Sequence, residues 1–115
     1  MRAGLTDDFT YEDRGRGPNF PPADAETFPK YVNTYWETGV GQPRFEYEIL
    51  AVRGERCSAG ILRVDFGNGM LRESIVVQAL DATLRLVQRA VDLDIDDVDG
   101  AIAELDRMHR QADAN

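Results

Sequence analysis

Cysteine is nearly absent: Cys57 stands alone in 115 residues, so no internal disulfide can form. Histidine is as scarce. Cys57 and His109 together fall short of the ligand set of a structural zinc site, and no metal and no cofactor are expected. No uninterrupted apolar stretch approaches the roughly 20 residues that span a bilayer, and the opening residues contain no apolar core of a secretory signal. These absences give a cytoplasmic protein without a membrane partner as the expectation. Positive charge is in deficit. Thirteen basic residues face 21 acidic ones, a net charge of −8, which opposes binding to phosphate backbones and argues against nucleic acid. Internal repeats and low-complexity segments are lacking too.

What remains suffices for one core. A chain that is 43% hydrophobic and 9% aromatic is too apolar for a disordered tail, and its length holds one core rather than two, so residues 1–115 read as a single domain. The acidity is concentrated near the end, where residues 92–115 carry −6 of the −8. Asp92, Asp94, Asp96, Asp97 and Asp99 adjoin the series Val98, Ile102, Leu105 and Met108, which repeats at helical spacing. The cluster reads as a helix start, where aspartates cap free N–H groups and face the positive end of the dipole. Calcium binding would need a twelve-residue loop ending in Glu, and the spacing does not supply one.

Between Arg44 and Val91 the β-branched and aromatic runs read as four strands in an antiparallel meander: Arg44–Arg53, Cys57–Phe66, Met70–Leu80 and Leu84–Val91. Gly54-Glu55, Gly67-Asn68-Gly69 and Asp81-Ala82-Thr83 supply the turns. Several strands carry apolar residues on both faces, so both faces are expected to be covered. Upstream, Phe28, Tyr31 or Val32, and Tyr35 or Trp36 recur at helical spacing. Pro29 fits that helix's first turn, and the stretch from Gly39 to Pro43 stops it. Arg14 to Pro22 reads as a loop, and Phe9-Thr10-Tyr11 as a short strand.

Three strings carry a family resemblance. Leu5-Thr6-Asp7-Asp8-Phe9-Thr10-Tyr11-Glu12-Asp13-Arg14-Gly15 resembles the passage that opens the first strand in ketosteroid isomerase and SnoaL-like polyketide cyclase relatives, within the nuclear transport factor 2-like superfamily. Ile49-Leu50-Ala51-Val52-Arg53-Gly54-Glu55-Arg56 and the stretch from Asp96 to Asp106 are similar to a bacterial subgroup of these domains. The resemblance implies an α+β, cystatin-like fold: a curved antiparallel sheet forming a cone packed on helices. Members of the family carry a helix before that first strand, whereas six residues precede Asp7 here. The domain is therefore expected to be N-terminally short, with one wall of the cone open and closed by a second copy in a homodimer.

The resemblance also implies chemistry. It places Asp13 in the general-base position. The partner acid that steadies an enolate would fall near Val76, which has no donor, and the matching tyrosine belongs to the absent helix. Loss of one such donor costs about 10² to 10³ in rate, so steroid isomerisation is not expected. Arg14 and Arg16 beside Asp13 would lower its pKa if they point inward, and Asp13 reads alternatively as a cap on the Gly15-Arg16-Gly17 turn or as an arginine's partner. Tyr11, Tyr31, Tyr35, Trp36, Phe45 and Tyr47 are the candidates to line an apolar ligand pocket, or else ordinary core. Arg63, Asp65, Arg72, Gln78, Gln88 and Arg89 are polar residues within strands, whose faces depend on register. The leading expectation is a non-catalytic module of the SnoaL-like type that binds an apolar small molecule or dimerises. The alternative is a cofactor-free isomerase, cyclase or lyase acting on an apolar carbonyl compound with Asp13 as base.

Overall fold

Two alternating apolar series on the same strands dictate a sheet with a core on each side, and the computed structural model has that form. It describes residues 4–16, 21–30, 44–65, 67, 69 and 71–114. Five strands, β1 (Leu5–Asp13), β2 (Arg44–Arg53), β3 (Cys57–Asp65), β4 (Leu71–Leu80) and β5 (Val87–Asp94), precede one long helix, α1 (Val98–Ala114). The spatial order is β1-β5-β4-β3-β2. The last four strands form the expected antiparallel meander, while β1 joins β5 in parallel. Tyr11 exchanges backbone hydrogen bonds with Ala23 at 2.9 and 3.0 Å, which covers part of the outer edge of β1.

On one face Ile75, Val77 and Ala79 of β4, with Val91 and Leu93 of β5 and Cys57 and Ala59 of β3, pack under Ala101, Leu105 and Met108 of α1. This is the helix face. On the other, Phe9, Tyr11, Ala23, Ala25 and Ala90 cluster with Phe28, whose ring centroid lies 5.3 Å from that of Phe9 and 4.7 Å from that of Tyr11. This is the aromatic face. Asp24 and Thr27 trade side-chain and backbone hydrogen bonds ahead of Phe28, the exchange that opens a helix. Phe28, Pro29 and Lys30 are helical. The rest of that expected helix, including Tyr31, Tyr35 and Trp36, lies outside the described residues.

Two strands differ in extent from the sequence reading: β1 spans Leu5–Asp13 rather than only Phe9-Thr10-Tyr11, and the last meander strand is displaced at both ends. The fourth meander strand starts at Val87 rather than Leu84 and runs to Asp94. Asp81 is the cause. Its backbone N–H donates to the Leu86 carbonyl at 2.9 Å, its carbonyl accepts from Leu84 N–H at 3.0 Å, and its Oδ1 accepts from the Thr83 hydroxyl at 2.7 Å. The turn therefore extends to Leu86, with Leu84 at φ 61°. Asp92 and Asp94 are consequently strand residues and not part of a helix cap. Asp97 alone of the five takes the cap position, its Oδ1 accepting from Gly100 N–H at 3.1 Å, with Asp99 in the first turn.

Segments 49–56 and 96–106 meet in the fold. Arg53 Nε donates to Asp106 Oδ1 at 2.9 Å, and Gly54 lies against the His109 ring, 3.0 Å from where its Cβ would be. Arg56 donates through Nη1 to the Ala112 carbonyl at 3.5 Å, giving the helix end the cation its own last turn lacks. Glu104, buried, receives Arg14 Nη1 at 2.8 Å, Arg89 Nη2 at 3.3 Å and the Arg107 guanidinium. No helix among the described residues is long and apolar enough to cross a membrane.

Candidate functional site

Register brings the site together. Reading across the sheet on the aromatic face, Ile49, Gly60, Val76, Asp92 and Asp13 fall in one row, and Tyr47, Leu62 and Ser74 in the next. Asp13 and Asp92 thus stand directly opposite each other on β1 and β5. Two carboxylates so placed repel unless a cation joins them. Arg72, on β4, is that cation: its Nη2 lies 3.0 Å from Asp92 Oδ2 and 3.8 Å from Asp13 Oδ2. The Tyr11 hydroxyl donates to the same Asp92 Oδ2 at 3.0 Å. Asp13 Oδ1 accepts from Gly15 N–H at 3.0 Å, the cap contact that opens the turn after β1.

Burial sets the electrostatics. Asp92 is 7% exposed, and this desolvation pushes its carboxyl above the ordinary value. The Ser74 hydroxyl, the Arg72 charge and the Tyr11 hydrogen bond pull it down, and Asp13's charge adds to the rise. Tyr11 is likewise raised, first by burial and then by the charges of Asp92 and Asp13, so it acts only as a neutral hydroxyl. The Ser74 hydroxyl is close enough to ease the charge on Asp92, and Ser74 Oγ and Asp92 Oδ1 are both buried. Apart from each other, these two adjacent polar atoms have no partner among the described residues. With two carboxylates and one guanidinium, the cluster suits a neutral group that donates a hydrogen bond, and it repels anions.

Of the residues expected to form a site, Tyr11 and Asp13 meet here. Phe45 and Tyr47 share the aromatic face but lie on edge strand β2, four strands from β1. Tyr47 folds inward over Gly60. Its hydroxyl lies 3.4 Å from Ser58 Oγ and 3.5 Å from the Val76 carbonyl, and burial raises its pKa. Phe45 remains 53% exposed. Arg72 was a candidate in the strands. The sequence does not single out Asp92 and Ser74, because Asp92 reads as part of the acidic run before the helix. The alternation Ala90, Val91, Asp92, Leu93 was the available signal. Arg63 pairs with Glu73, and Gln88 and Arg89 serve the helix face. No group of three or more metal-ligating side chains occurs among the described residues.

The Tyr47 position rests on a missing side chain. A Cβ at Gly60 would lie 2.5 Å from Tyr47 Cζ and 2.8 Å from the Glu48 carbonyl oxygen. Gly60→Ala is therefore expected to eject the ring and cost about 1–3 kcal/mol. Urea unfolding checks the stability, and an upfield or downfield change in the Tyr47 ring signals by NMR checks the displacement. An unchanged ring environment would contradict this packing.

No family model matches the sequence, and no curated protein does. Among solved structures, a protein of Shewanella putrefaciens CN-32 described as a SnoaL-like polyketide cyclase aligns with a TM-score of 0.56 and 14% identity, over 93% of this chain and 73% of its own. At that identity the likeness concerns architecture. The chain thus has the SnoaL-like α+β fold, a curved five-stranded sheet packed against its C-terminal helix.

Proposed function

We propose that this protein is a small-ligand-binding domain of the SnoaL-like type, whose aromatic face receives an apolar molecule by a hydroxyl group at one end. The observation that carries this reading is the pair of buried atoms, Asp92 Oδ1 and Ser74 Oγ, which among the described residues have no partner but each other, on a face that also bears Tyr11, Val76 and Tyr47. A ligand hydroxyl donating to Asp92 and accepting from Ser74 relieves both. The test compares 2-naphthol with 2-methoxynaphthalene by calorimetry. The hydroxyl compound is expected to bind at least about ten-fold more tightly, about 1.4 kcal/mol, and Ser74→Ala to reduce that preference. Equal affinities would sink the reading.

A cofactor-free isomerase, cyclase or lyase with Asp13 as base is the second reading, supported by the polyketide cyclase description of the structural neighbour and by the 6% exposure of the Asp13 side chain. Against it, both Asp13 oxygens are already engaged, Oδ1 by Gly15 N–H at 3.0 Å and Oδ2 beside Arg72 at 3.8 Å. Self-association belongs to the first reading. Phe45, Ile49, Leu50 and Val52 stand exposed along edge strand β2, and sedimentation velocity is expected to give a homodimer. A cytoplasmic setting fits a lone buried thiol at Cys57.

A further inference from the structure

The helix face holds a cavity of about 220 Å³ between α1 and strands β1, β4 and β5, remote from the aromatic-face cluster and independent of its reading. Arg56 and Arg89 line it with Gln88 and Gln111, and Ala79 and Met108 supply apolar wall. Arg56 is unusual in this molecule. The other half-buried arginines, Arg53, Arg63, Arg72 and Arg89, each lie within 4.0 Å of a carboxylate. Arg56 meets none among the described residues. It is held instead by neutral acceptors: the Leu80 carbonyl at 2.9 Å, Gln88 Oε1 at 3.2 Å and the Ala112 carbonyl at 3.5 Å. The end of α1 offers the equivalent of about half a negative charge, which leaves the guanidinium only partly compensated.

The acid in the same cavity, Asp8, does not complete the balance. Its oxygens are occupied by the Thr6 hydroxyl at 2.7 Å and by Gln88 Nε2 at 3.0 Å, so Arg56 reaches it only through the Gln88 amide. Arg89 adds a second unfilled demand: its Nε is buried with no hydrogen-bond partner among the described residues, although its Nη2 meets Glu104. A fixed, under-compensated guanidinium and a second arginine, whose Nε lacks a partner among the described residues, therefore line one small cavity with an apolar wall. We propose that this cavity binds a small organic monoanion, its carboxylate between Arg56 and Arg89 and its short hydrocarbon body against Ala79 and Met108. The volume is below the roughly 300 Å³ at which pockets for drug-sized ligands begin, which limits the body to a few carbons.

The test is a ¹⁵N–¹H NMR titration of the full chain with sodium hexanoate at constant ionic strength, against sodium chloride, sodium phosphate and hexan-1-ol. Hexanoate is expected to give saturable shifts at Arg56, Gln88 and Gln111 that the three controls do not reproduce. Arg56→Gln should weaken binding at least ten-fold, and Arg56→Lys less. Since Arg56 also caps α1, the wild-type titration decides the matter if Arg56→Gln does not fold. Absence of saturation, equal shifts with chloride, phosphate or hexanol, or shifts confined to Tyr11, Ser74 and Asp92 would each overturn the proposal.

Discussion

Glu104→Ala is expected to lower the unfolding free energy by about 3–5 kcal/mol, because it removes the one buried acceptor on which Arg14, Arg89 and Arg107 converge. The carboxylate is 2% exposed and its partners lie on three segments: the end of β1, strand β5 and α1 itself. Glu12, at 2.7 Å from Arg14 and 3.8 Å from Arg89, would remain, but it is half-exposed and holds less of the charge. Against a total stability of about 5–15 kcal/mol for a domain of this kind, such a loss would leave a sizeable unfolded fraction at 37 °C. Glu104→Gln keeps the shape and two acceptor sites, so about 1–3 kcal/mol is expected. Asp106→Ala is the control: its pair with Arg53 is half-exposed and contributes about 0–1 kcal/mol. Urea denaturation followed by far-UV circular dichroism measures all three. Should Glu104→Ala cost no more than Asp106→Ala, then Leu105 and Met108 hold the helix by packing alone.

The clamp also explains what the sequence could and could not disclose. Strand extents for β2, β3 and β4 follow from local alternation and turn residues, which is why they were readable to within a residue. Leu105 and Met108 declared themselves by spacing. The function of Arg53, Arg56 and Glu104 did not, since each has a partner more than 40 residues away in the chain, and only the folded sheet brings such partners together. The same holds for the aromatic-face cluster. Asp13 was legible through its string, but its opposite number Asp92 depended on the start of β5. That start was set by the hydrogen bonds of Asp81, a turn three residues longer than its composition suggested. A turn three residues longer also changes the pairing register, so although alternation gives the face of Asp92, its place opposite Asp13 does not follow from periodicity alone.

Asp92 gives the second large effect, and substitution separates its shape from its charge. Asp92→Ala removes the acceptor of the Tyr11 hydroxyl and leaves Arg72 with Asp13 at 3.8 Å, which together should cost about 2–4 kcal/mol. In Asp92→Asn the amide oxygen can still accept from Tyr11 and Arg72, while the amide N–H₂ can donate to Ser74 Oγ. The expected loss is below about 1 kcal/mol. The pH dependence follows from the direction of the shift. Burial holds the Asp92 carboxyl above its ordinary value, so the folded protein binds that proton more tightly than the unfolded chain. This contribution is complete below about pH 4, the ordinary aspartate value, and is lost as pH rises through the raised one. Asp8, Glu12, Asp81 and Asp96 are shifted downward by their hydrogen bonds and contribute in the opposite sense, their stabilisation vanishing as pH falls. The two sets overlap in the wild-type curve, but the difference between wild type and Asp92→Asn cancels the second set. That difference is expected to fall steadily from pH 4 upward and then level off. If it rises with pH instead, or if Asp92→Asn is as damaging as Asp92→Ala, the ion pair with Arg72 outweighs desolvation, and the site would favour a ligand that does not compete for that charge.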